Sequence, residues 1–182
     1  MPRSTGKPGT VPSPTGDEAS TGRDVPVIIR RAEVRDIHDI RRIDRLVYPT
    51  PWSGNLTLKE VTGSDRAHFV AELNHRVIGH GGLALLHDEG HITTLAVHPS
   101  HQRDGVGAAL LAELIEAAAA TNCTGVTLEV RAGNTSAIAF YEKSGFTSSG
   151  IRTGYYSDTG EDALIMWRSR TGDEPPAEGT SG

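Results

Sequence analysis

The stretch His-Pro-Ser-His-Gln-Arg-Asp-Gly-Val-Gly-Ala at 98–108 joins two segments of opposite character. Before it, 92–97 reads Ile-Thr-Thr-Leu-Ala-Val, the β-branched and apolar residues of a strand. After it, from Ala108, comes Ala-Ala-Leu-Leu-Ala-Glu-Leu-Ile-Glu-Ala, a run of strong helix formers. Strand, Gly-containing turn and helix together aim several backbone N–H groups at the positive end of one helix dipole, a point that suits a phosphate. In Gln102-x-x-Gly105-x-Gly107 the missing Cβ atoms let an anion come close to the chain. The bland alternative for Gly105 and Gly107 is helix-start geometry alone.

The rest of the chain divides around this unit. Residues 1–24 are mostly Pro, Gly, Ser and Thr without apolar periodicity, and 170–182 read the same way. Neither segment carries enough apolar surface to offset its ordering entropy, so both are expected to be disordered tails around one domain at 25–169. Within the domain, Val27-Ile-Ile-Arg-Arg31 reads as a strand. Asp36 is expected to cap a helix whose Ile37, Ile40, Ile43 and Val47 keep helical spacing. Pro49 and Pro51 end that helix and open a loop carrying Trp52, with a short helix expected around 56–61. A hairpin follows at 68–86, where Gly79, Gly81 and Gly82 suggest a bulge or a close backbone approach. His87-Asp-Glu-Gly90 turns into the strand ending at Val97, and a helix spans 105–120 with Leu110, Leu111, Leu114 and Ala118 toward the core. Beyond a strand at 126–130, Asn134 caps a helix that Gly145 stops, and 146–156 pairs with 161–167 as a last hairpin. This order predicts an α/β fold: one mixed, mostly antiparallel sheet flanked by helices.

Composition narrows the function. A net charge of −5 disfavours a basic nucleic-acid face and is compatible with a basic peptide as substrate. The one cysteine, Cys123, allows no intrachain disulfide and reads as a small packed residue. No run of 18 apolar residues exists and the first residues lack a signal-peptide core, so a cytoplasmic location without membrane contact is expected. His87, His91, His98 and His101 lie close in sequence but without a recognisable ligand spacing, so no metal is expected.

Two downstream pieces sharpen the phosphate loop: Leu128-Glu-Val-Arg-Ala-Gly-Asn134 and Ala137-Ile-Ala-Phe-Tyr-Glu-Lys-Ser-Gly-Phe146. With the Gln-x-x-Gly-x-Gly loop, and in this order, they resemble the GNAT superfamily of acetyl-CoA-dependent N-acetyltransferases over roughly residues 27–168. Pro51-Trp-Ser53, Leu128-Glu-Val-Arg131, Tyr155-Tyr156 and Glu161-Asp-Ala-Leu-Ile-Met166 are most similar to its RimI-type ribosomal-protein-alanine N-acetyltransferases. The resemblance implies the acyl-CoA N-acyltransferase fold and acetyl-CoA as co-substrate. It implies that the pantetheine arm lies beside Leu95, Ala96 and Val97 like an added strand. The pyrophosphate would then rest on Gln102, Arg103, Asp104, Gly105, Val106, Gly107 and Ala108, where Arg103 either adds charge or is simply solvated. Asn134 would both cap its helix and touch the cofactor arm.

For the chemistry, the resemblance implies Glu129 as general base, acting through water, and Tyr141 as the acid that protonates the departing thiolate. Read as residues alone, Glu129 has the alternatives of a solvent-facing strand residue or a partner for Arg131, and Tyr141 that of a core aromatic. Trp52, Tyr155 and Tyr156 read either as an acceptor rim on two loops or as packing anchors. Glu161 and Asp162 would attract a basic peptide or merely begin a strand. Ser157 departs from the resembled pattern, where a proline often follows the tyrosine pair, which leaves peptide specificity open. The implied reaction is acetyl transfer to a protein N-terminal amine, the N-terminal alanine of a small-subunit ribosomal protein. The alternatives are a lysine side chain or small-molecule amine as acceptor, or a non-catalytic acetyl-CoA-binding module.

Overall fold

A computed structural model describes residues 26–170; the segments expected as tails lie outside the described residues, Arg170 apart. Seven strands form one sheet: Ile28–Arg31 (β1), Arg66–Leu73 (β2), Arg76–Leu86 (β3), Glu89–Val97 (β4), Gly125–Arg131 (β5), Thr147–Tyr156 (β6) and Glu161–Ser169 (β7). Their spatial order is β1-β2-β3-β4-β5-β7-β6, antiparallel except for β4 beside β5. Helices Ile37–Val47 (α1) and Gly54–Thr62 (α2) cover one face; Val106–Ala120 (α3) and Thr135–Lys143 (α4) pack on the other. The mixed sheet with helices on both sides is the expected fold.

Each face buries the residues that the periodicity singled out. Ile40 and Ile43 of α1 meet Val70, Val77 and Ala96, while Leu111, Leu114 and Ala118 of α3 meet Leu83, Ile92, Val126, Leu128 and Met166. Glycines in β3 let α3 settle this close. A Cβ at Gly81 would stand 2.9 Å from Leu114 Cδ1, and one at Gly79 would stand 3.1 Å from Leu110 Cδ1. The β2–β3 hairpin turns on Asn74 (φ 51°) and His75 (φ 61°), both left-handed as a tight two-residue turn requires.

Asp36 does not cap α1 as expected. Its backbone is already helical (φ −81°, ψ −13°), closing a 3₁₀ turn at Val34–Asp36, whereas a cap needs extended backbone. Its carboxylate instead accepts both guanidinium nitrogens of Arg30, at 2.7 and 2.9 Å, and the N–H of Glu33 at 2.8 Å. The short second helix begins earlier than expected, at Gly54, because Ser53 Oγ accepts the Leu56 N–H.

The feature that shapes the molecule is a bulge. Gly82 pairs with Thr94 and Leu83 with Ile92, so Thr93 is the extra residue on β4. Thr93 Oγ1 donates to Glu60 of α2 at 2.9 Å, and Thr94 Oγ1 lies 3.0 Å from the Tyr48 hydroxyl at the end of α1. Both side chains therefore serve the same face. Beyond the bulge β4 leaves β5: their parallel pairing spans only Glu89, Gly90 and His91 against Gly125, Val126 and Thr127.

A polar chain is buried on this face. His80 Nε2 donates to Asp44 Oδ1 at 2.9 Å, His68 Nε2 lies 3.2 Å from His80 Nδ1, and all three residues are at most 3% exposed. Burial, with smaller contributions from His80 and Arg31, lowers the His68 pKa to about 3. In the unfolded chain a histidine titrates near pH 6.5, so below that pH the unfolded state binds the extra proton and is favoured, until about pH 3. Between pH 7 and pH 5 this one group should cost about 2 kcal/mol of stability. Denaturant unfolding at both pH values should show His68→Gln losing less stability over the interval than the wild type, by about that amount. Equal losses would refute the assignment.

Candidate active site

The loop after β4, expected to hold a phosphate, is folded by its own side chains. His98 Nδ1 accepts the Ser100 N–H and closes a turn at Pro99–His101. The Gln102 side-chain amide then donates to the Val97 carbonyl at 3.1 Å, folding the loop back onto the strand end. Arg103 (φ 72°) and Gly105 (φ 82°) are left-handed, and α3 starts at Val106 with no side-chain cap and no acid in its first turn. The N–H groups of Val106, Gly107 and Ala108 lie in the first helical turn, where no intrahelical acceptor exists. The space above them is open: a Cβ at Gly105 would meet nothing within 4 Å, and one at Gly107 only Val97 at 3.7 Å and Phe140 at 3.8 Å. Gly105 is required by its φ, whereas at Gly107 packing alone would admit a side chain. Arg103 and Asp104 are exposed; the Val106 side chain is buried under the helix, leaving only its backbone toward the loop.

The gap between β4 and β5 lies at the mouth of this loop. The Leu95 N–H and C=O face into it, and both are taken by one side chain: the Tyr48 hydroxyl donates to Leu95 O at 2.9 Å and accepts from Leu95 N at 3.3 Å. Burial raises the Tyr48 phenol to about 12, so it stays protonated. Ala96 points away, into the α1 cluster. The strand edge that the resemblance gives to the pantetheine arm is thus dressed by Tyr48 at Leu95 and by Gln102 at Val97.

Glu129 stands on β5 just past the parting, its side chain 8% exposed. Leu128 and Val130 are buried on the other face, as alternation requires. Arg131, one of the alternatives for its partner, does not reach it. His91 Nε2 of β4 donates to Oε2 at 2.5 Å, and Arg152 Nη1 of β6 lies 3.1 Å from Oε1. Burial works against the charge, but His91 and Arg152 outweigh it and hold the carboxyl below its usual range. Arg131 is drawn instead to Asp158 (2.8 Å) and Glu161 (3.2 Å) and lies 4.0 Å over the Tyr156 ring.

Tyr141, on α4, packs edge-on against Phe140 and Phe146, as the core-aromatic reading requires. Burial, with Tyr48 and Tyr156 nearby, pushes its phenol well above the ordinary value; it carries its proton at neutral pH but releases it less readily than a free phenol. Asn134 does cap α4, accepting the Ala137 N–H at 3.1 Å. Tyr155 and Tyr156 sit on strand β6 rather than on a loop, their rings perpendicular at 5.2 Å. The Glu129 charge adds to burial in raising both phenols. The Trp52 loop reaches the same rim through Thr50, whose hydroxyl donates to Asp158 at 3.4 Å. Glu161 accepts the Gly133 N–H, tying the last hairpin to the loop after β5, and Asp162 accepts the Gly154 N–H within the hairpin.

Sequence reasoning missed Tyr48, His91 as a partner of Glu129, and Arg152. Tyr48 carried one usable signal, its position one turn after Asp44 on the buried side of α1. The other two meet Glu129 only through strand register, which has no local signature.

A helix start with unserved N–H groups, opening onto a parting between parallel strands beside a shielded carboxylate, is the kind of geometry that an acyl-CoA-dependent transferase uses. Comparison with known proteins agrees. Residues 34–146 match the model of the acetyltransferase (GNAT) family, and the chain belongs to it. It is therefore an acetyl-CoA-dependent N-acetyltransferase. Over 140 residues it is 31% identical to the putative [ribosomal protein bS18]-alanine N-acetyltransferase of Bacillus subtilis, covering 76% of this chain and 93% of that one. An N-alpha-acetyltransferase of Sulfurisphaera tokodaii is 33% identical, with 76% and 90% covered. The crystal structure of the ribosomal-protein-S18-alanine N-acetyltransferase from Escherichia coli superposes with a TM-score of 0.74 at 31% identity, covering 84% of this chain and 97% of that one.

The loop gives a direct test. Gly107→Asp fits sterically at its Cβ but places a carboxylate over the amides, so acetyl-CoA affinity should fall at least about tenfold, ~1.4 kcal/mol. Calorimetric titration of a folded variant with unchanged affinity would remove the loop from the site.

Proposed function

We propose that this enzyme acetylates the N-terminal amine of a protein, with the N-terminal alanine of a small-subunit ribosomal protein as the leading acceptor and the cytoplasm as its place of action. The observation that carries this reading is Glu129, a shielded carboxylate at the mouth of the strand parting, beside a rim formed by β6 and the Trp52 loop. The relatives named for alanine N-acetylation of a ribosomal protein support the acceptor, and the archaeal N-alpha-acetyltransferase supports the broader class. Among the described residues no helix is long and apolar enough to cross a membrane.

Acetyl-CoA, when bound, supplies the acetyl group as a thioester. The α3 amides would hold its pyrophosphate, and Leu95 and Val97 its arm, once Tyr48 and Gln102 yield their backbone partners. Glu129 receives the amine proton and Tyr141 holds a proton for the thiolate. An α-ammonium has a pKa of about 8 and an ordinary glutamate about 4.3, so direct transfer to Glu129 is uphill by ~5 kcal/mol. The carboxylate therefore works best on an amine already losing its proton to solvent, through water. A lysine acceptor, near 10.4, would make the same step steeper, which favours an α-amine.

The test uses two peptides: one with a free N-terminal alanine and blocked lysines, the other N-terminally blocked with a free lysine. Mass spectrometry should show acetyl transfer to the first; transfer confined to the second would overturn the reading. On the first peptide Glu129→Gln should lower kcat/KM by about 10²–10⁴-fold, with partial recovery above about pH 8. Tyr141→Phe should lack that alkaline recovery. Full activity of both variants from pH 6 to 9 would exclude these roles.

A further inference from the structure

Glu129 has two oxygens and two partners of different kinds. Oε2 is held by His91, a residue of the neighbouring parallel strand whose side chain is 24% exposed. Oε1 faces Arg152, whose side chain is 53% exposed and comes from β6, the edge strand of the sheet. His91 makes an aligned hydrogen bond; Arg152 makes an ion contact at 3.1 Å. Its other neighbour is the Tyr155 ring, 5.8 Å away, itself 45% exposed. Just past Arg152 the β6–β7 register breaks, so residues 153–155 leave the ladder and Gly154 turns left-handed at φ 63°. The cation thus ends a long arm at a loosened edge and reaches inward to the one carboxylate oxygen that His91 leaves.

On the reading above, an acceptor α-ammonium is drawn to that same oxygen before it loses its proton to water. Two cations cannot share it without repulsion, and Arg152 is the partner that solvent can take up. We propose that Arg152 stands in for the acceptor's ammonium in the resting enzyme, and that peptide binding exchanges one cation for the other at Glu129 Oε1. This rests on Glu129 being the amine-facing carboxylate proposed above. The exchange has two consequences. Acceptor affinity is reduced by the ion pair that must be broken, and the penalty falls only on acceptors bearing a free ammonium. Once the bound amine has given up its proton to water no cation remains at Oε1, and Glu129 is then a better proton acceptor than in the resting enzyme. Arg152 is in this view a positioning and selectivity residue, not a group that meets the reacting atoms.

The experiment measures peptide binding by calorimetry with CoA present, so that inactive variants remain measurable. Wild type, Arg152→Gln, Glu129→Gln and the double variant are titrated with an alanine-starting peptide and with its N-acetylated form. Arg152→Gln should bind the free-amine peptide about two- to tenfold more tightly, the range of a half-exposed ion pair, and the acetylated peptide unchanged. In the Glu129→Gln background the same substitution should change neither. The Glu129 carboxyl carbon, followed by ¹³C NMR, should titrate at higher pH in Arg152→Gln than in wild type. Weaker binding of the free-amine peptide by Arg152→Gln would overturn the proposal and make Arg152 a peptide-holding group; an equal change for both peptides, or no change, would also overturn it. Failure of the underlying reading shows separately, as a Glu129→Gln enzyme that turns over the peptide at the wild-type rate.

Discussion

The parting of β4 from β5 is the constraint on which the molecule depends. Parallel strands pair along their length unless something turns one of them, and here the extra residue at Thr93 does so. The result is a wedge inside an otherwise continuous sheet, with a helix start at its wide end and Glu129 on its far wall. A wedge of this kind leaves backbone N–H and C=O groups unpaired in a half-buried place, which is costly unless other groups serve them. Tyr48 serves Leu95 and Gln102 serves Val97. These bonds keep the opening intact without closing it, because each comes from a side chain rather than from a neighbouring strand. A co-substrate that added its own amides to the β4 edge, as proposed, would therefore trade hydrogen bonds for hydrogen bonds, and its net gain would come from contacts elsewhere.

The two faces of the sheet divide the labour. The α3 side is apolar throughout: Leu111, Leu114, Leu83, Ile92, Leu128 and Met166 interlock there and give the loop a rigid base. The α1 and α2 side carries the charges. From β2 to β6 it holds His68, His80, Asp44, Glu60, His91, Glu129 and Arg152, nearly all of them joined in pairs or chains. Buried polar groups of this sort add little net stability, since desolvation offsets attraction. They do dictate where the elements may sit, because a shifted helix would orphan a buried charge. Asp44 lies one turn before Tyr48, so the bond from Asp44 to His80 also fixes the place from which Tyr48 reaches Leu95.

Much of this was legible in the sequence where one short segment carries the whole argument. The strand–loop–helix at 92–120, the Asn134 cap, the left-handed stop at Gly145 and the glycines of β3 each follow from residues within a few positions of one another, and each stands where the pattern put it. The alternation that sets Glu129 opposite Leu128 and Val130 is of the same kind. Asp36 shows where such reasoning overreaches: a capping residue ahead of a helix is a sound local sign, but Arg30 lies on the adjacent strand and offers the carboxylate a stronger partner.

What the sequence by itself determined is the order of elements, the buried faces and the strand–turn–helix form of the loop, all governed by periodicity and backbone preference over short distances. What only the tertiary structure decided is who meets Glu129. Arg131, two residues along the same strand, shares its face and was one candidate for its partner, yet Asp158 and Glu161 of the last hairpin claim it. His91 and Arg152 reach the carboxylate instead, from 38 residues before it and from an edge strand that joins the sheet out of sequence order. Those meetings depend on strand register and on a crossover in the sheet, and no pattern of neighbouring residues encodes either.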